Sequence, residues 1–224
     1  MYRKLAVLGL AGMLAAQPAS AAVQIYTFSV SDSSAGLGAG PYGTVTVTEG
    51  TGANAGSLLF DIVLNAGFKI HDGNQNHNAF TFRLNGDPSV TISNLTSGFA
   101  AIKTGSGDTV SSPPFGNYLT GIDCTTACGP GWNGGFTGPL SFKVSAGSAL
   151  SLASLGFNTV GGNHIYFTSD MIIANGKTGN VGAVQTAVTA VPEPATWAMM
   201  LVGFGALGFA VRRRPATEMR IRFA

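Results

Sequence analysis

The side chains able to do chemistry are few and dispersed along the middle of this 224-residue chain. Between Ala22 and Val191 stand two cysteines, three histidines and eight acidic residues, of which Glu49 is the single glutamate. Cys124 and Cys128 are four apart, close enough to bond to each other; a tetrahedral metal site would need two more ligands, and no histidine is near in sequence. Asp72, Asn74 and Asn76 alternate as the oxygens of a calcium loop do. The position after the third ligand is His77 where such a loop carries glycine, and the distal glutamate is missing, so a polar turn is the expected reading and calcium the alternative. No two of His71, His77 and His164 have the spacing of two that sets ligands side by side on a strand, and no metal is expected. Gly-x-Ser-x-Gly, His-Glu-x-x-His and the phosphate-cradling P-loop Gly-x-x-x-x-Gly-Lys are all missing from the sequence, which leaves a hydrolase only dispersed aspartates to work with. The chain reads as a non-enzyme without cofactor.

One further acidic residue is placed differently. Glu193 lies between Pro192 and Pro194, and two prolines flanking one residue can join neither a helix nor a sheet ladder. The chemistry this suits is performed on the chain by another protein: an extended, exposed neck offered to a protease. The neck precedes 17 uncharged, mostly apolar residues from Ala195 to Val211, the lower limit for a membrane helix, and then Arg212, Arg213 and Arg214. By the positive-inside rule the arginines hold the C-terminal end in the cytoplasm and leave the rest outside the inner membrane. The other end carries Arg3 and Lys4, an apolar run from Leu5 to Ala16, and Ala19-Ser20-Ala21, the small-residue pattern of a signal peptidase site with cleavage before Ala22. The run is too short to span a bilayer. Both cysteines thereby enter an oxidising compartment, and a Cys124–Cys128 disulfide is expected.

Pro192-Glu193-Pro194, Trp197-Ala198, the Gly-rich apolar span and the arginine cluster together resemble the PEP-CTERM sorting signal, in its variant with Trp-Ala after the tripeptide. The same tail family is also labelled an ice-binding protein C-terminal domain, a label that says nothing about ice here. The resemblance implies a Gram-negative bacterium, an exosortase that recognises the tripeptide and processes the protein, transient attachment to the inner membrane, and association with exopolysaccharide. The tail from Pro215 to Ala224 runs longer than the family's usual stop after the arginines.

The elements that must carry all this are strands. The chain divides into a signal peptide (1–21), a body (22–189), the sorting signal (190–214, with tripeptide 192–194, apolar span 195–211 and arginines 212–214) and a cytoplasmic tail (215–224). Within the body, five basic residues face eight acidic ones, a net charge of minus three, which excludes a basic groove for nucleic acid. Tyr26, Phe28 and Val30; Val45 and Val47; Leu58, Phe60, Ile62 and Leu64; Phe80, Phe82 and Leu84; Val90 and Ile92; and Leu140, Phe142 and Val144 alternate with smaller or polar residues at the period of two. Ile165 with Phe167, Ile172 to Ala174, and Val181 to Val188 supply further strands. Eight or nine short strands joined by Gly, Asn and Asp turns predict an all-β fold, a β-sandwich with a jelly-roll arrangement as one form of it. The stretch from Thr96 to Pro139 lacks a strong strand signal and reads as a long loop. Its Tyr118, Trp132 and Phe136 are expected to cap the sandwich, the alternative being a stacking surface for sugar rings in a carbohydrate-binding module.

The body is also similar to exported β-rich proteins that share the tail. The likeness runs through His77-Asn78-Ala79-Phe80-Thr81-Phe82, Pro114-Phe115-Gly116, the close cysteine pair, Gly138-Pro139-Leu140-Ser141-Phe142, Tyr166-Phe167 to Asp170, and Thr178-Gly179-Asn180-Val181. It implies kinship with such proteins and brings no activity. The resulting expectation is a non-enzymatic surface or matrix protein whose partners are signal peptidase and the secretion machinery, an exosortase, the inner membrane and exopolysaccharide.

Overall fold

The computed structural model describes residues 21–71, 78–105, 109–186, 200–205 and 208–209. Residues Ala21–Val188 form one unit, the body. Its first strands are β1 (Val23–Ser31), β2 (Gly43–Glu49), β3 (Leu58–Leu64), β4 (Lys69–Ile70) and β5 (Phe80–Phe82). The middle of the body holds β6 (Val90–Ser93), β7 (Phe99–Thr104), β8 (Val110–Ser111), β9 (Asn117–Tyr118) and β10 (Thr120–Cys124). It closes with β11 (Leu140–Ala146), β12 (Asn158–Val160), β13 (Asn163–Ile165), β14 (Phe167–Ile172) and β15 (Thr178–Gln185). The fold is all-β.

One sheet dominates, in the order β6-β11-β3-β2-β1-β15-β14-β5-β10-β7, with β4 also paired to β14. Each described pairing is antiparallel. β6 and β7 end the order, yet they are consecutive in the chain and touch. The sheet therefore curls until its two ends nearly meet. Bulges in β1 between Phe28 and Val30 and in β7 between Ala101 and Lys103, opposite Gly121 and Ile122 of β10, supply local bends, since an extra residue on one strand increases its twist. The expected sandwich is thus built from one sheet folded over, and the rings show the fold-over directly. Phe60 on β3 meets Phe80, Phe82 and Phe167 on β5 and β14, which lie at the far side of the strand order.

In β2 and β3 the alternation sorts as the period of two requires: Val45, Val47, Leu58, Phe60 and Ile62 are buried, and Thr44, Thr46 and Thr48 lie at the outer face. The stretch expected to be a long loop departs from that expectation. It contains β7, β8, β9, β10 and a four-residue helix, α1 (Gly131–Gly134). β10 joins the main sheet between β5 and β7 despite its weak pattern, because Gly121 must be small: a Cβ there would lie 2.9 Å from the Ile102 side chain. The strand expected over Ile172 to Ala174 is also shifted. β14 ends at Ile172, and Ile173 to Lys177 turn the chain, with Ile173 N–H donating to the Lys177 carbonyl (3.1 Å).

β14 is buried on both faces. Phe167 points into the aromatic core, while Thr168 bonds Thr81 (2.5 Å) and Ser112 (2.6 Å) on the opposite face. That face is covered by the β8–β9 hairpin. Asn180 donates to the Pro113 carbonyl (2.8 Å) and Asn78 to the Ser111 carbonyl (3.2 Å), so the amides that hold the hairpin also satisfy its buried backbone. Phe115, Tyr118 and Ile165 form a second, smaller core beneath it.

Candidate functional site

β4 and β5 pair along the same side of β14: Ile70 opposes Met171, and Phe82 opposes Phe167. Between them, His71 N–H donates to the Asp170 carbonyl and Asp170 N–H donates to the Asn78 carbonyl, each at 3.0 Å. Asp170 thus sits opposite the interruption that carries residues 72–77. Its Oδ2 lies 3.2 Å from His71 Nδ1, with the aspartate side chain fully buried and the histidine 13 % exposed. A buried carboxylate left without partners is costly, and the imidazole gives it one. Beside this pair, Ser169 donates to the Ala79 carbonyl (2.7 Å), and Asp123 Oδ1 accepts from the backbone of Ala79 (3.2 Å) and Cys124 (3.0 Å). Neighbouring hydroxyls on Ser112 and Thr168 bond each other, and the contacts of the described residues make this a polar brace of the β4–β14–β5 junction.

Asp72, Asn74, Asn76 and His77 lie outside the described residues. His164 is stacked on Phe157, with ring centres 4.0 Å apart, far from the role of ligand partner to His71 that a histidine cluster would require. Among the described residues no three His, Cys, Asp or Glu side chains gather as a metal site would.

The cysteines are joined as their spacing suggests. Their loop is clamped from within: the N–H groups of Thr125, Thr126 and Ala127 all point to the Gly98 carbonyl, at 2.8, 3.1 and 3.0 Å. Gly98 has φ +82°, and a Cβ on it would stand 2.7 Å from Ala127 N, so only glycine allows this approach. Because the ring closed by the bridge is short, Cys124→Ser with Cys128→Ser is expected to cost ~2 kcal/mol or less. A thermal melt should show a fall of roughly 4–8 °C for a domain of this size. A larger loss would mean that the bridge holds more than its own loop.

The three loop aromatics are engaged by the protein, in keeping with capping. Tyr118 is fully buried and donates to the Ile165 carbonyl (3.3 Å); burial pushes its hydroxyl far above the usual tyrosine value. Burial, aided by Tyr166, does the same to Tyr26. Lys69 Nζ stands 4.4 Å from the centre of the Trp132 ring and bonds the Trp132 carbonyl (2.9 Å), and Phe136 meets Phe99 edge to face at 4.9 Å. A second aromatic group, outside the stretch expected to carry one, lies around Phe157, His164 and Tyr166. Its only signal in the sequence is a lone Phe between a glycine and an asparagine turn residue.

At the signal peptidase site, Ala19 lies outside the described residues, Ala21 is half-buried and Ala22 exposed. The Ala22 carbonyl accepts from Glu49 N–H (2.8 Å), so β1 keeps its first pairing in a chain that begins at Ala22. Pro192, Glu193, Pro194, Trp197, Ala198, Arg212, Arg213 and Arg214 lie outside the described residues. Within the apolar span, residues 200–205 and 208–209 are helical, and Met200, Leu201, Val202, Phe204 and Phe209 are exposed apolar side chains. No helix among the described residues is long and apolar enough to cross a membrane.

No curated protein and no solved structure matches the chain, and the body's likeness to other exported proteins gains no support from either comparison. Residues 190–214 do match a family model, that of the PEP-CTERM protein-sorting motif, which makes the chain an exported, membrane-anchored precursor directed to an exosortase.

Proposed function

We propose that the protein is a non-enzymatic surface or matrix component that an exosortase releases from the inner membrane and that is then retained with exopolysaccharide. The observation that carries this reading is the position of the sorting motif relative to the body. β15 ends at Gln185 and lies between β1 and β14 in the sheet, while the motif begins at 190. Cutting at Pro192-Glu193-Pro194 removes no strand and leaves every described pairing of the body intact. The apolar span 195–211 serves as the transient membrane helix, and Arg212 to Arg214 fix its orientation. Signal peptidase and the secretion machinery act at the other end. The non-enzymatic reading rests on the sequence, whose polar groups lack any nucleophile–base or carboxylate-pair motif.

Cell fractionation tests it. In a strain with active exosortase the body is expected outside the cell, co-purifying with the polysaccharide fraction. Deletion of the exosortase should leave the precursor in the inner membrane, and loss of polysaccharide synthesis should free the processed body into the medium. The same distribution in all three strains would overturn the proposal.

A further inference from the structure

The β12–β13 hairpin presents the aromatic group that the capping residues do not explain. Phe157 precedes β12 and is 40 % exposed, the one exposed Phe, Tyr or Trp among the described residues of the body. It is held rigidly. Its ring stacks on His164 at 4.0 Å with an interplanar angle of 14°, and leans on Tyr166 at 5.2 Å. Tyr166 is in turn backed by Tyr26 at 4.9 Å, and Tyr26 by Phe167 of the main core at 4.7 Å. An exposed ring seated on a column that reaches the core has little freedom left to lose on binding.

Beside this column lies a shallow hollow lined by Gly162, Asn163, His164, Tyr166, Val184 and Gln185, with Phe157 outside the lining and joined to it by its stack on His164. No Asp, Glu, Lys or Arg lines it. What it offers is two amides, an imidazole and the Tyr166 hydroxyl, which bonds Gln185 Oε1 at 3.3 Å. A ring face beside hydrogen-bond donors and acceptors matches a pyranose, whose C–H face is apolar and whose rim carries hydroxyls. Charge narrows the class further, because the body carries a net minus three and would repel an acidic polymer.

We propose that Phe157, His164, Tyr166, Asn163 and Gln185 form a binding surface for neutral hexopyranose chains. This rests on the reading of the body as a polysaccharide-retained protein and gives that reading a contact surface, on a different part of the body from the stretch 96–139.

The test uses the processed protein purified from culture, titrated by NMR or calorimetry with cellohexaose and mannohexaose, and with polygalacturonate as the charged control. Binding of at least one neutral oligosaccharide at millimolar concentration or tighter is expected. Phe157→Ala should weaken it about tenfold, the equivalent of one lost stacking contact, with the body still folded by circular dichroism at the titration temperature. Gln185→Ala should weaken it by a smaller factor, and Tyr166→Phe separates the hydroxyl from the ring. Three results would overturn the proposal: no binding of either neutral oligosaccharide, equal binding by wild type and Phe157→Ala, or binding of polygalacturonate alone. A change of sedimentation behaviour in Phe157→Ala without loss of sugar binding would likewise reassign the face to contact between copies of the chain. Export and processing are read by fractionation and stay normal in these variants, so failure here is distinguishable from failure of the sorting account.

Discussion

Glu193→Ala is expected to cut processing about 10- to 100-fold and leave most of the precursor in the inner membrane. The physical basis is the isolation of this carboxylate. From Thr178 to Val211 it is the only charged side chain, and it stands between two prolines that hold the backbone near φ −65° and cannot enter a strand or helix. A protease that reads the neck thus meets one fixed negative charge against an otherwise neutral background. Hydrogen bonds to a charged group contribute roughly 1.5–3 kcal/mol, so losing them should lower the processed fraction about 10- to 100-fold. An immunoblot of membrane and extracellular fractions reads this directly. Glu193→Asp keeps the charge on a shorter arm and should be processed at an intermediate level. Because the neck lies beyond β15, neither variant should change the melting of the body. Unchanged processing in Glu193→Ala would remove the tripeptide from the account.

The second large effect lies in the core. Phe60 is 2 % exposed and sits among four other rings: Phe142 stacked at 4.8 Å, Phe82 at 5.2 Å, Phe167 edge-on at 5.8 Å and Phe80 at 6.4 Å. Phe142 is its neighbour within the sheet, whereas the other three reach it only because the sheet folds over. Phe60→Ala removes three of the ring contacts that join the two halves, leaving those of Phe142 with Phe80 and Phe82, and opens a cavity that close-packed rings cannot fill. A loss of ~3–5 kcal/mol is expected. Against a total stability of about 5–15 kcal/mol, that is enough to unfold a sizeable fraction of the protein in mild denaturant. Urea unfolding of wild type and variant measures it; Phe60→Leu should cost less because most of the volume remains. A loss under ~1 kcal/mol would mean that the two halves do not pack as described.

Which parts of this were legible in the sequence depends on what each strand faces. β2, β3 and β11 have one buried and one outer face, so Val45, Val47, Phe60, Ile62, Leu140 and Phe142 alternate with Thr, Asp, Ser and Lys, and their pattern could be read. β14 lies under the β8–β9 hairpin and is buried on both faces, and such a strand has no reason to alternate. β7 and β10 carry Ala100, Ala101 and Gly121, the last where the Ile102 side chain crowds it, and small residues give no apolar signal. Their omission turned two sheet strands into an expected loop. The folding-over of one sheet depends on bulges and on which distant strands pair, neither of which a local pattern encodes.

The functional residues divide on similar lines. A linear signal such as Pro192-Glu193-Pro194 with its apolar span and arginines is read by other proteins as sequence, so sequence analysis finds it. The disulfide was legible from a spacing of four. The Phe157 group was not, because its members at 157, 164, 166 and 185 meet only through the β12–β13 hairpin and the edge of β15. Trp132 and Phe136, expected from the sequence to cap the sandwich, are taken by Lys69 and Phe99.

Mass spectrometry of both termini of the protein recovered from outside the cell tests the central claim most directly. Delivery through signal peptidase and exosortase predicts a first residue of Ala22 and a last residue within or next to Pro192-Glu193-Pro194, with the apolar span and Arg212 to Arg214 gone. An extracellular protein that still ends at Ala224 would contradict it.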